Sequence, residues 1–364
     1  MSFFDFLSAK KEGSVLGVDI GSSSLKVVQL RKEHGQAILE TYGELSLGPY
    51  GGGEMGQATN LSAEQITESL KDLLREAKAT TTSCGVSIPF ARSLLTLVNL
   101  PYRADPTEQK TVIELEARKY IPVPVSEVQL DWFIVPAAEQ AQFGEEGSPS
   151  ADRKGTVEVL LVAVHNDELT KLQSVVVGAG LSASFYEIEI FSTIRAVVDD
   201  PVKPVMVIDI GAASTKTYVI ERGVVALSHS IGTGSQDITR AIAISGNVSI
   251  AAAEALKKEE GLGDGGALGS PELVFSRIFS EVRRVLMQYE TAHKKSIASI
   301  ILTGGGGITK ELSAYAKRIF SIDVHIADPF KKTEAPAFMR PVLEEIGPEF
   351  AVAVGLALRK LDEV

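Results

Sequence analysis

One nine-residue pattern occurs twice, and it limits what the chain can fold into more than any other feature. Val18-Asp19-Ile20-Gly21-Ser22-Ser23-Ser24-Leu25-Lys26 stands near the start, and Ile208-Asp209-Ile210-Gly211-Ala212-Ala213-Ser214-Thr215-Lys216 follows in the second half. An apolar run leads into each copy, and β-prone residues follow each (Val27-Val28-Gln29-Leu30; Thr217-Tyr218-Val219-Ile220). This predicts a strand, a tight glycine turn and a second strand at both places. A single copy reads as a plain Asp-capped β-turn. Two copies, each opening its own half, point to a duplicated domain with a ligand between the halves.

The turns carry readable chemistry. Gly21 and Gly211 lack a Cβ, so backbone and ligand can approach closely. The small residues that follow, Ser22, Ser23 and Ser24 in one copy and Ala212 and Ala213 in the other, leave N–H groups to cradle anionic oxygens. Asp19 and Asp209 sit at predicted strand ends, where a carboxylate can hold a hydrated Mg²⁺. Lys26 is placed to neutralise phosphate charge. A nucleotide is the ligand class that fits both turns at once.

Composition narrows the alternatives. The 364 residues suffice for two domains or a two-lobed unit, and 45% hydrophobic with 23% charged residues is a soluble globular balance. A net charge of −11 without a long basic run argues against nucleic acid as a partner. The one cysteine, Cys84, rules out a disulfide framework, and five scattered histidines offer no zinc site. No stretch approaches the roughly 18–20 apolar residues that span a bilayer. The opening run, with Phe3, Phe4, Phe6, Leu7, Lys10 and Lys11, is too short for a signal peptide and reads as a packed or mobile tail, or else as a partner hook. A cytoplasmic protein is expected.

Further elements follow in order. Gly48 to Gly53 reads as a linker, because the Lys-Ser/Thr ending of a phosphate loop is missing. Ser62 and Gln65 form a capping box that opens a helix with Ile66, Leu70, Leu73, Leu74 and Ala77 on one face. Residues 84–185 read as a separate module of strand, strand, helix, strand, strand and helix. Asp105-Pro106-Thr107-Glu108 starts its first helix, and residues 137–155 form a polar hairpin loop. After the second hairpin, Gly232-Thr233-Gly234-Ser235 opens a helix whose N-terminus is an expected anion site. Ser249 caps a helix carrying Glu254 and Lys257, and Gly263 to Gly269 is a loop. The buried strand Ile297 to Leu302 runs into Gly304-Gly305-Gly306-Gly307, where a flat ring can lie on bare backbone. Gly355, on an apolar face of the last helix, fits close helix packing.

Taken together, the Asp19 hairpin, the Asp209 hairpin and the Gly304-Gly305-Gly306 turn resemble the actin-like ATPase superfamily over nearly the whole chain. The resemblance implies an α/β class: a duplicated, ribonuclease H-like, two-lobed ATPase fold. It implies ATP and Mg²⁺ as cofactors, two phosphate loops, an adenosine loop at Gly304 to Gly306, and Glu254 and Lys257 near the ribose. The module at 84–185 resembles the inserted α+β subdomain of the FtsA branch. The lobes are then 14–83 with 186–200, and 201–364. Within that branch the opening residues through Val28, and Leu100-Pro101 with Ile113-Glu114-Leu115-Glu116-Ala117-Arg118-Lys119-Tyr120-Ile121-Pro122, are similar to the PilM family of type IV pilus assembly.

That similarity implies a cytoplasmic adaptor at the inner face of the membrane, gripping the cytoplasmic tail of a PilN-like membrane protein. The pilus motor ATPase and platform proteins are further partners it would allow, as is a homo-oligomer, and contact with the membrane would run through partners only. A related secretion platform is a second setting for the same role. An FtsA-like division scaffold is the first alternative, although the amphipathic C-terminal helix of FtsA is not found in this sequence. A small-molecule kinase of the superfamily is the second, and it needs a further catalytic carboxylate that no motif supplies. If ATP is hydrolysed, Asp209 is the one residue the sequence offers to orient water.

Overall fold

The computed structural model describes residues 13–135, 155–262 and 271–362. The expectations for the N-terminal aromatic cluster, for the loop at 137–154 and for Gly263 to Gly269 lie outside the described residues.

The first half begins with three consecutive strands, β1 (Val15–Ile20), β2 (Ser24–Glu33) and β3 (Gln36–Ser46), followed by α1 (Ala63–Glu76) and β4 (Ser83–Ile88). Ser62 and Gln65 form the expected capping box of α1. An excursion comes next: β5 (Ser93–Pro101), α2 (Pro106–Ala117), β6 (Val128–Ile134) and β7 (Thr156–His165). The chain returns through α3 (Asn166–Gly178), β8 (Ser182–Ile188) and α4 (Glu189–Val197). The second half repeats the plan with β9 (Val205–Ile210), β10 (Thr215–Glu221) and β11 (Val224–Ile231). After α5 (Ser235–Gly246), α6 (Ile250–Glu260) and α7 (Pro271–His293) come β12 (Ser299–Thr303), α8 (Leu312–Phe320), β13 (Val324–Ile326), α9 (Arg340–Ile346) and α10 (Ala351–Asp362).

Two five-stranded sheets result, ordered β3-β2-β1-β4-β8 and β11-β10-β9-β12-β13. Each is an antiparallel three-strand meander extended by two parallel strands from its first member. The duplication therefore extends from the motif to the whole topology. Strand β9 is buried along its full length, as its apolar run from Val205 to Ile208 requires when both faces are covered. Met206, Ile208 and Ile210 turn to the core of α7, while Val207 joins the core shared with the first half.

The first sheet is also covered on both faces. Val27 and Gly43 pair across β2 and β3, and Gly43 faces Leu73 and Ala77 at the end of α1. Gly17 and Val28 pair across β1 and β2, and Gly17 faces α10. A Cβ on Gly17 would lie 1.9 Å from the Ala353 carbonyl, and one on Gly355 would lie 1.9 Å from the Ser192 carbonyl. Two glycines thus let α10 wedge between β1 and α4. The last helix belongs with the first sheet, although the chain order had grouped residues 201–364 together.

The expected module at 84–185 is narrower as a packed unit. β4 pairs with β1 and β8 in the first sheet, and α3 packs on α1. Only β5, β7 and β6 form the separate three-stranded sheet, whose own core holds Leu100, Ile113, Val159 and Leu161. Periodicity along a strand cannot reveal which distant strand it will join. At the edge of this module, β5 packs beside β11, and Glu158 pairs with Arg222 at 3.5 Å.

Candidate functional site

Both hairpin turns are closed by the same backbone bond. The Gly21 amide donates to the Ser24 carbonyl at 3.1 Å, and the Gly211 amide to the Ser214 carbonyl at 3.0 Å. The next carbonyls are braced from outside. Those of Ser22 and Ser23 accept from the Thr59 and Leu47 amides, both at 2.8 Å, and those of Gly211 and Ala212 accept from the Ser235 and Gln236 amides at 2.9 and 3.0 Å. The peptides are trans, so each following N–H points opposite to its braced carbonyl. The amides of Ser23 and Ser24, and of Ala212 and Ala213, accordingly turn away from their braces.

This bracing corrects one expectation. The N-terminus of α5 is not an open anion site, because Ser235 and Gln236 spend their amides on the second loop and the Gly234 amide is capped by Asp237 at 2.8 Å. Gly234 belongs to a buttress, whereas Gly232 is exposed with open space around it. A Cβ on Gly234 would lie 2.4 Å from the Ala212 carbonyl oxygen, which explains the glycine.

Asp19 and Asp209 end the first strands of the two sheets, each paired in register with a lysine, Lys26 and Lys216. Asp19 accepts from the buried Ser87 hydroxyl at 2.9 Å. Desolvation pushes its carboxyl up to about 6 against the attraction of Lys26. Asp209 is only 6% exposed and accepts from Lys216 Nζ at 3.2 Å. The same ammonium donates to Glu189 at 2.6 Å, and Glu189 in turn accepts from the Phe90 amide at 2.7 Å. Burial opposes the charge on Lys216, but Asp209 and Glu189 overcome it and raise its pKa. Lys26 takes another course. It donates to Ser24 at 2.6 Å and pairs with Glu44 at 3.0 Å, and Glu44 and Glu349 outweigh its burial, so its pKa rises.

The glycine turn after β12 is locked onto the second hairpin. The Gly306 amide donates to the Ile210 carbonyl at 2.8 Å, and the Gly304 amide to the Pro348 carbonyl at 3.0 Å. Gly304 has φ +77°, and a Cβ there would lie 2.4 Å from Asp209 Oδ1, so a side chain would be both strained and obstructed. Gly305 alone is exposed, with Glu349 nearest to it. Two of the three predicted adenosine-loop glycines thus answer to packing, and the third presents bare backbone.

Glu254 and Lys257, the pair expected near a ribose, bond to each other and to Thr239. Lys257 donates to Glu254 at 2.6 Å and to Thr239 at 3.1 Å, and Thr239 donates to Glu254 at 2.7 Å. Burial lowers the pKa of Lys257 despite the neighbouring Glu254. The segment read as a linker does more than link. It runs from a 3-10 turn at Gly48–Gly51 across to α6, where Glu54 accepts from the Ala251 amide at 2.6 Å and Gly56 lies against Glu254. Because Leu47 and Thr59 brace the first loop, this strap joins that loop to α6.

Sequence reasoning missed Ser87, Glu189, Glu44, Glu349 and Glu54, and gave Lys216 no role although it closes the repeated pattern. Glu189 carried no legible signal, because it directly follows β8, a strand that sequence reasoning did not predict. The two aspartates and the two sets of free amides fit a nucleotide with its Mg²⁺, a hard cation that takes carboxylates and phosphate oxygens and keeps several waters.

The sequence profile of the type IV pilus assembly protein PilM matches residues 17–361. The chain belongs to the PilM family. Among solved structures, one described as a PilM-PilN type IV pilus biogenesis complex is 25% identical, with TM-score 0.80, covering 96% of this chain and 99% of that one. The fold extends to MreB 5 of Spiroplasma citri bound to AMPPNP (14% identity, TM-score 0.54, 96% and 97% covered). It also extends to the ethanolamine utilization protein EutJ from Carboxydothermus hydrogenoformans (14%, TM-score 0.51, 95% and 89% covered). The chain is thus an actin-like ATPase fold of the PilM type.

Proposed function

We propose that the protein is an ATP-binding adaptor of the type IV pilus inner-membrane platform that grips the cytoplasmic tail of a PilN-like membrane protein. The observation that carries the nucleotide part is the pair of loops braced alike in two duplicated sheets, with Asp19 and Asp209 at their roots. The likeness to the PilM-PilN complex supports the partner. The first lobe would comprise 14–88 and 166–200 together with α10, the second the remainder from 201, and the adaptor subdomain the β5–β7–β6 sheet with α2.

In this reading the amides of Ser22 to Ser24 and of Gly211 to Ala213 hold the phosphates. Asp19 and Asp209 orient Mg²⁺ through its waters, and the bound ion would supply charge neutralisation at the phosphates. Gly305 flanks adenine, Glu254 and Lys257 bind the ribose, and Lys26, bonded to Ser24, lies close to the phosphates. Asp209 and Glu189 are the carboxylates set to orient a water, and both are held by Lys216, which fits slow turnover. Nucleotide would bias the lobe angle and hence the partner groove. Among the described residues no helix is long and apolar enough to cross a membrane. In this reading the membrane is reached through the partner.

The test is a titration with the N-terminal cytoplasmic peptide of the PilN-like protein, with and without Mg-ATP, and with the division-ring protein's C-terminal tail as competitor. Saturable, ATP-sensitive binding of the first peptide alone is expected. Binding of the division peptide alone would move the protein to the FtsA role.

A further inference from the structure

Lys216 is the one cation at the roots of the loops that the nucleotide reading leaves without a ligand. Its ammonium bridges the halves of the molecule: Asp209 ends β9 in the second sheet, whereas Glu189 opens α4, which packs on the first. The three side chains are 15%, 9% and 12% exposed, so solvent screens the arrangement only weakly. Asp19 is near enough for both Glu189 and Lys216 to act on its carboxyl. Three carboxylates and one ammonium therefore share the place where a nucleotide-borne divalent ion would sit. The matching lysine of the first hairpin is turned to Glu44 and Ser24.

We propose that Lys216 is a resident counter-cation of the nucleotide site, supplying part of the charge that a divalent ion would otherwise bring, so that nucleotide binds with only weak dependence on Mg²⁺. The proposal rests on the nucleotide reading above. Two consequences follow from charge alone. A metal-free triphosphate is shielded by the ammonium from Asp209 and Glu189, which would otherwise repel it. An arriving Mg²⁺ must share Asp209 with a fixed positive charge, which reduces what the ion adds.

The test compares ATP affinity, by titration calorimetry, in Mg²⁺ and in EDTA. For the unaltered protein the two dissociation constants should differ by less than about fivefold, and Lys216→Met should widen the ratio by about tenfold or more, as expected for a charge interaction worth one decade of binding. Lys216→Arg, which keeps the charge, should stay near the unaltered ratio. If Lys216→Met fails to fold, Lys216→Gln, which also removes the charge but keeps a donor for Asp209 and Glu189, should widen the ratio in the same way. An unchanged ratio in a folded variant lacking the charge overturns the proposal, as does strong Mg²⁺ dependence in the unaltered protein. Absence of ATP binding under both conditions defeats the nucleotide reading itself. The proposal, which rests on that reading, is overturned with it.

Discussion

In both hairpins an aspartate at the end of one strand stands opposite a lysine on the next, yet the lysines serve different partners. Lys216 folds back on Asp209 and reaches the other half at Glu189, while Lys26 leaves Asp19 for Glu44 on β3. The braces differ too. The second loop is held by α5 of its own half, and the first by a strap that continues across to α6. Duplication kept the backbone, down to the same turn-closing bond, and left the side chains free to diverge. The second hairpin is electrostatically settled without ligand. The first keeps a carboxylate that burial disfavours, and there a bound cation has most to gain.

The largest expected break of this comparison is Asp209→Asn. It leaves Lys216 with Glu189 alone in a buried setting, and removing one partner of a buried pair costs about 3 kcal/mol. Chemical denaturation at neutral pH should show the loss. The matching change in the first hairpin should act in the opposite direction. Because the pKa of Asp19 is raised to about 6 from 3.8, the folded state holds the proton longer, so its contribution is present below about pH 4 and lost as pH rises through about 6. Asp19→Asn keeps an acceptor for Ser87 and should gain about 2 kcal/mol at pH 7, a gain that shrinks to nothing near pH 4. Denaturation curves across pH 4–8 for both variants measure this divergence. The smallest effect concerns the braces. Glu54→Ala frees an amide in the first turn of α6 at a cost of about 1 kcal/mol, and it should speed ATP release, read by stopped-flow with a fluorescent nucleotide.

What the sequence disclosed was local. The two glycine turns, the Ser62–Gln65 cap, the Asp105 helix start and the Gly304 turn each follow from residues within a few positions of one another. What stayed hidden was pairing at a distance. β4 and α3 joined the first sheet rather than the inserted module, and α10 crossed back to β1, because parallel pairing and helix docking are decided by the whole fold. The site divides the same way. Asp19, Asp209 and the small loop residues were readable in the motif, whereas Glu189 and Glu54 matter only because the fold brings them to Lys216 and α6.

If two duplicated loops form one nucleotide site, hydrogen exchange with and without Mg-ATP registers both of them at once. Amides of Ser22 to Ser24 and of Ala212 and Ala213 should become protected together, over the same range of ATP concentration. Protection of one loop alone, or of neither, would contradict a shared site.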